Sequence, residues 1–434
     1  MSIAHEMKKF RLGDLGTFRN GVNFERGSKG TGLCLINVKD IFRDSPKIDF
    51  TSLDKVDLSA SRSIDRYFVE KGDLFFVRSS VKRDGIGYVV YSDQQNHQAV
   101  HCGFVIRFRP NSQKVNPIFL TYSFRTPDNR QRIRLLSGGV AITNISQEAL
   151  GTLEISVPTL RNQEKIATIL SAYDDLIENN LRRIKILEEM AQTLYREWFV
   201  KFRFPGHQKV KMVDSPLGKI PEGWEVATID DVLATLESGS RPKGGIDPEA
   251  RGVPSIGAEN IIGLGRYDYS KEKFVTREFF DNMNRGHIQS GDILLYKDGA
   301  QIGRKSMFRD GFPHVECCIN EHVFIMRTNG RCSQNYLFFW LDQPEMTQNI
   351  INLNANAAQP GINQSGVRGL PIFLPLAPLL EKAEEVLEPM LEALFNYAKR
   401  NNTLRQTRDL LLPRLISGEL DVSEFDINTG GLNV

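Results

Sequence analysis

Apolar positions along the chain follow two rhythms. Short apolar runs such as Leu74 to Val77, Gly87 to Tyr91 and Phe104 to Phe108 are bounded by Gly, Asn, Asp and Pro and predict strands. A different rhythm starts at Ile166, where steps alternating four and three land on Leu170, Tyr173, Ile177, Asn180, Ile184, Leu187, Ala191, Leu194 and Trp198. Only Asn180 is polar, and this spacing is a heptad seam. The same rule from Ala383 gives Leu387, Met390, Leu394, Tyr397, Asn401, Leu404, Arg408, Leu411 and Leu415. Here Arg408 sits on the seam, and Pro389 predicts a kink or a restart. Each helix, at about 33 residues, would be roughly 50 Å long, and neither can bury such a stripe alone.

The pattern is written twice. Glu70-Lys71-Gly72-Asp73-Leu74-Phe75-Phe76 returns as Gln289-Ser290-Gly291-Asp292-Ile293-Leu294-Leu295, and Phe104-Val105-Ile106 as Val323-Phe324-Ile325, both displaced by 219. Thr143-Asn144-Ile145-Ser146 matches Ile362-Asn363-Gln364-Ser365, Val157-Pro158 matches Leu374-Pro375, and Leu12-Gly13-Asp14-Leu15 is echoed by Ile229-Asp230-Asp231-Val232. A period near 217 is half of the 434 residues, so each half is one structural unit.

The expected fold is α/β (α+β): two similar mixed α/β globules separated by two long helices that form an antiparallel coiled coil, with a pseudo-twofold internal repeat. The boundaries read 1–158 first globule, 159–204 central helix, 205–221 linker, 222–375 second globule, 376–420 distal helix and 421–434 C-terminal tail. Antiparallel pairing with residue numbers summing to 581 sets Asn180 against Asn401, Trp198 against Ala383 and Met390 against Ala191. Polar meets polar and large meets small, and a buried Asn pair fixes register at some cost in stability. The alternative is that each helix packs on its own globule.

Hydrophobic residues are 41% and charged residues 25%, an ordinary globular composition. The most apolar stretch, Gly369 to Leu380, is broken by Pro371, Pro375 and Pro378, and the opening residues lack an apolar signal core, so a cytoplasmic chain without a membrane helix is expected. Five cysteines without a C-x-x-C predict reduced thiols. His314-x-x-Cys317-Cys318-x-x-x-His322 offers four ligand types, yet adjacent cysteines fit no usual zinc spacing, and no metal is expected. The net charge of +2 is unevenly spread: residues 1–158 hold 23 Lys and Arg against 16 Asp and Glu, +7, whereas 205–375 hold 18 against 20, −2. The basic first globule is the part whose charge fits a polyanion.

Val157-Pro-Thr-Leu-Arg-Asn-Gln-Glu-Lys-Ile-Ala-Thr-Ile-Leu170 enters the central helix, Arg196-Glu-Trp-Phe-Val-Lys-Phe-Arg-Phe-Pro-Gly206 leaves it, and Leu411-Leu-Pro-Arg-Leu-Ile-Ser-Gly-Glu-Leu420 ends the distal one. With two globules and two long helices, the whole chain resembles the specificity (S) subunit of type I restriction-modification enzymes. Leu379-Leu380-Glu381-Lys382 departs from the pattern of Arg161-Asn162-Gln163-Glu164-Lys165. The resemblance implies that each globule is a target recognition domain reading half of a split, asymmetric double-stranded DNA target. It implies that the helices set the half-site spacing and bind two methylation (M) subunits, with restriction (R) subunits completing the complex. Cofactors would then lie elsewhere, S-adenosylmethionine on the methylation subunits and ATP with Mg on the restriction subunits, with none on this chain.

Candidate DNA-binding residues follow from loop position and side-chain chemistry. After the Gly-Asp strand come Arg78, Ser79, Ser80, Lys82 and Arg83 in the first globule, and Lys297, Gln301, Arg304 and Lys305 in the second. Arg and Lys pair with guanine or phosphate, and Gln and Asn suit adenine. Asn144 and Asn363 end a second pair of loops, Ser137 to Asn144 and Asn354 to Asn363, while Arg19, Arg241 and Lys243 lie on early loops. Arg130, Arg132 and Arg134 are candidates for phosphate contact, with plain solvation the competing reading.

Catalytic signals fail. Asn116-Pro117-Ile118-Phe119 approaches an adenine-methyltransferase motif, but the second copy reads Ser333-Gln334-Asn335-Tyr336 without the proline, and Asn-Pro also suits a helix start. No Gly-rich nucleotide loop or Walker motif occurs. The alternatives to DNA recognition are a coiled-coil scaffold for proteins and, less favoured, an adenine methyltransferase.

Overall fold

The computed structural model describes residues 7–59, 63–81, 83–138, 143–246, 251–299, 301–354 and 361–429. The chain divides into two compact units, Met1–Glu178 with Leu404–Val434, and Asn179–Thr403, so the division falls inside both long helices.

In the first unit a four-stranded antiparallel sheet runs in the order Gly16–Asn20, Val105–Pro110, Leu74–Val77, Val89–Tyr91. A three-stranded sheet, Asp54–Val56, Lys29–Ile36, Ala99–His101, lies in the same unit, and Lys8–Arg11 pairs with Glu154–Val157. The second unit has the same order: Leu233–Ser238, Val323–Thr328, Asp292–Tyr296, Lys305–Phe308, with Lys273–Val275, Val253–Ile256 and Cys318–Ile319 as its three-stranded sheet. Phe104 lies in a turn and not in the strand that begins at Val105.

The repeated Gly-Asp is a structural device. Gly72 and Gly291 have φ of 87° and 90°, the left-handed region that favours glycine, and let the chain turn into the strand. Asp73 then accepts the Glu70 amide at 2.8 Å and Arg109 Nε at 2.7 Å. Asp292 accepts the Gln289 amide at 2.7 Å and Arg327 Nε at 2.6 Å. Each aspartate is buried and tied to an arginine on the neighbouring strand, the condition under which a buried carboxylate is tolerated. Burial lifts the Asp292 carboxyl above its usual range against the pull of Arg327.

The central helix spans Leu160–Tyr195 and the distal helix Ala377–Ser417. The distal helix runs through Pro389 without the break expected there. Pro389 and Glu385, the residue whose carbonyl loses its amide partner, are both exposed. In the first unit Ile166, Ala167 and Leu170 of the central helix share a core with Leu412, Leu415 and Ile416 of the distal helix and with strand residues such as Phe76 and Phe108. In the second, Ile184 and Ala191 share one with Ala383, Leu387, Leu391 and Leu394. Asn180 Nδ2 donates to Asn401 Oδ1 at 2.9 Å, both side chains buried, and Ile177 is buried while Leu187 packs partly buried.

Arg408, the charge on the seam, is 8% exposed, pairs with the buried Asp174 and donates to Asp44 at 3.0 Å. Tyr122 also donates to Asp174. Burial raises the Asp174 carboxyl, partly offset by Arg408. At Asp44 burial also pushes upward, but Arg408 and Arg405 together hold the carboxyl below its usual range.

Residues 205–221, expected as a linker, are ordered. Met212–Ser215 pairs with Gly218–Pro221 as a hairpin, and Phe204, Ile220 and Trp224 enter the second unit's core. The prolines and glycines there mark turns, and burial of Ile220 pins the segment. In the tail, Val422 is buried, and Lys165 Nζ donates to the Val422 and Ser423 carbonyls at 3.1 and 2.7 Å. Among the described residues, no helix is long and apolar enough to cross a membrane.

Candidate nucleic-acid interface

In each unit the same backbone bonds gather three loops at one end of the four-stranded sheet. In the first unit the Arg78 amide donates to the Phe104 carbonyl at 2.8 Å, and the Ile145 amide to the Arg78 carbonyl at 3.0 Å. In the second the Lys297 amide donates to the His322 carbonyl at 3.1 Å, and the Ile362 amide to the Lys297 carbonyl at 2.9 Å. Ser79–Ser80 pairs antiparallel with Thr143–Asn144, and Asp298 bridges to Gly361. The loops singled out separately in the sequence are therefore joined: Arg78, Ser79, Ser80 and Asn144 in one unit, Lys297 and Asn363 in the other. Gly21 and Gly239 lie near the same strand ends, where an added Cβ would strike the His101 and Cys102 carbonyls or the Ile319 carbonyl.

The side chains differ. Arg78 is half-buried and its Nη1 donates to the Gly103 carbonyl at 3.2 Å, with Ser79 Oγ donating to Asn144 Oδ1. Lys297 Nζ lies 3.7 Å from Asp298 and 5.2 Å from the centre of the Phe324 ring. His322 Nδ1 meets Asp298 at 3.0 Å and its Nε2 meets Glu321 at 3.5 Å, while Arg241 reaches Glu321 at 3.4 Å. Gln301 and Lys243 are exposed. Asn363 caps Gln364–Arg368 by accepting the Gly366 amide at 2.8 Å.

Several expected contacts turn inward. Lys305 is buried on its strand, its Nζ bonded to Thr347 at 2.8 Å and to Asp342 at 3.4 Å. Burial lowers its pKa, with Asp342 opposing. Arg304 donates to the Ile261 carbonyl at 3.1 Å. Arg19 sits beside Arg107 in the strand pairing, with its guanidinium 5.8 Å from the centre of the Tyr67 ring. Arg130 holds the Ile86 and Asp84 carbonyls at 2.9 and 2.6 Å, and burial lowers its pKa to about 10. Arg134 pairs with Asp84 at 2.6 Å and Arg132 with the Glu154 carbonyl, so these arginines are engaged within the unit. Lys82 and the stretches 139–142 and 355–360 lie outside the described residues, as does the side chain of Arg83.

Asn116 caps the helix Pro117–Arg125, accepting the Ile118 and Phe119 amides at 3.0 Å each, while its own amide donates to Gln163 Oε1 at 2.8 Å. Its amide oxygen is fully used for capping. His314 contacts Glu272, and His322 Asp298, so the two histidines of the Cys-rich run have separate partners. Sequence reasoning left Phe104 and His322 out of the DNA-binding candidates, although the Arg78 and Lys297 amides place both within the loop clusters. The displaced Phe-Val-Ile repeat marked this region but assigned Phe104 to a strand.

The family described as type I restriction modification DNA specificity domain matches residues 5–189. The MjaX type I restriction enzyme specificity subunit of Methanocaldococcus jannaschii is 28% identical, covering 94% of this chain and 92% of its own length. The MjaIX specificity subunit of the same organism is 27% identical over 71% of this chain and 70% of its own. The HindI specificity subunit of Haemophilus influenzae is 23% identical over 81% and 87%. The crystal structure of a type I restriction-modification S subunit from M. genitalium has the same fold, with a TM-score of 0.55 and 15% identity over 96% of this chain and 97% of that one. With the repeated sheets and the paired loop clusters, these similarities carry one conclusion: residues 5–189 match the type I restriction modification DNA specificity domain, and the chain is similar along its length to the specificity subunits of type I restriction-modification systems.

Proposed function

We propose that each unit of this chain reads one half of a bipartite, asymmetric DNA target, and that the paired central and distal helices set the separation of the two halves. The observation that carries this reading is the duplicated loop cluster: the same backbone bonds present Arg78, Ser79 and Asn144 in one unit and Lys297, Asp298 and His322 in the other. Equal scaffolds with unequal side chains are what two different half-sites require. Helices of 36 and 41 residues, at 1.5 Å per residue, are about 54 and 62 Å long, enough to separate half-site centres by roughly one duplex turn of about 10 bp.

The complex is completed by two methylation subunits carrying S-adenosylmethionine and by restriction subunits carrying ATP and Mg, this chain supplying no cofactor. The site-level assignment places Arg78 and Lys297 against phosphate or guanine, and Ser79, Asn144 and Gln301 against base edges. Methylome sequencing of cells with and without the chain tests the reading. A two-part adenine-methylation motif should appear only with the chain, and replacing the 78–81 loop should alter one half of it alone. A motif that is unbroken, or indifferent to the loop, defeats the proposal.

A further inference from the structure

Phe104 is 63% exposed, in the turn between Ala99–His101 and Val105–Pro110. Its backbone is held firmly: its carbonyl accepts the Arg78 amide at 2.8 Å, the Gly103 carbonyl accepts Arg78 Nη1 at 3.2 Å, and the Val105 amide donates to the Cys102 carbonyl at 2.9 Å. Cys102 itself is buried, and an added Cβ at Gly103 would strike Asn23 Oδ1. A large apolar ring thus stands in solvent on a fixed turn, next to a cation that also lies in the loop cluster. Leaving such a ring uncovered forgoes the stabilisation that burial gives. Phenylalanine has no hydrogen-bonding group, so it cannot read donor and acceptor patterns; its available contact with a duplex is apolar, between or against bases.

The second unit makes the comparison specific. The carbonyl that accepts the Lys297 amide there belongs to His322, whose ring is held between Asp298 and Glu321 at 3.0 and 3.5 Å. An imidazole held between two carboxylates is polar and lacks the apolar character that a wedge needs.

We propose that Phe104 is an apolar wedge of the first unit, entering the groove at its half-site and unstacking one base step. The proposal rests on the DNA-reading function above. It makes the first half-site select a deformable step at a position that no polar side chain reads.

The test uses the chain assembled with its methylation subunits, without S-adenosylmethionine, on duplexes of the motif found by methylome sequencing. 2-Aminopurine is placed in turn through both half-sites, omitting the adenine that becomes methylated. Fluorescence should rise at one step of one half-site, and Phe104→Ala should abolish the rise and weaken binding about tenfold. Phe104→Trp should keep both. Selective binding with no rise, or a rise that persists in Phe104→Ala with unchanged affinity, sinks the wedge and leaves the reading of DNA standing. A wild-type complex that binds its motif no better than a scrambled duplex removes that reading, and the wedge with it.

Discussion

In the first unit the loop after Leu74–Val77 presents Arg78 on a backbone carbonyl, beside an exposed Phe104; in the second, Lys297 lies against Asp298, and Arg241 against Glu321. The surrounding segments differ in the same sense, +7 for residues 1–158 and −2 for residues 205–375. One scaffold therefore presents a more basic, partly apolar surface and a self-neutralised polar one. The strand order fixes where the loops stand, and their side chains are free to diverge because the backbone bonds joining them do not depend on side-chain identity. The helix pair differs too: its polar contact is an ion pair, Arg408 with Asp174, in the first unit and a neutral pair, Asn180 with Asn401, in the second.

The largest expected effect comes from breaking the first of those contacts. Arg408→Met leaves Asp174 buried without its counter-charge and should cost about 3–5 kcal/mol in denaturant unfolding. A cost below about 1 kcal/mol would mean that the pair behaves as an exposed one.

Next come the two loop cations. Arg78→Ala should weaken DNA binding by the assembled complex by about 1–3 kcal/mol and lower the salt slope by about one unit if it holds a phosphate. Lys297→Ala should cost less, because Asp298 already compensates part of its charge; equal losses in a salt titration would erase the distinction between the two surfaces.

Replacing both Asn180 and Asn401 by Leu should change stability by no more than about 1 kcal/mol, in either direction, while loosening register. Disulfide trapping of cysteines at 187 and 394 in that background, against the native seam, reads the register directly.

The smallest effect is a pH dependence. The folded state holds the Asp174 proton more tightly than the unfolded chain, whose carboxyl titrates near 3.8. Its contribution to stability therefore falls as pH rises from that value through the folded pKa, then levels off. The stability difference between wild type and Asp174→Asn, followed by urea melts across this acid range, should shrink with rising pH. A difference that grows with pH would reverse the assigned shift.

Much of the frame was legible because its signals are local or repeat at a fixed interval. The seam from Ile166 to Leu194, the Gly-Asp turns and the Asn116 cap each follow from spacing and side-chain chemistry within a few residues. Lys305 was misread because loop and strand meet at that point. A cation two residues after Gly303 reads as exposed, while the strand carries it inward to Asp342, a carboxylate 37 residues away. Arg408 looked like a defect of the seam since its partners, Asp174 and Asp44, belong to segments far away in the chain.

Sequence by itself determined that the chain is a duplicated α/β unit joined to two amphipathic helices, because apolar periodicity and turn residues act over one or two turns of backbone. Only the tertiary structure decided which charges are spent internally and which remain at the loop clusters. A cation's fate depends on the carbonyl or carboxylate that packing brings within 3–4 Å, and that neighbour is set by strand order, over separations that no local pattern encodes.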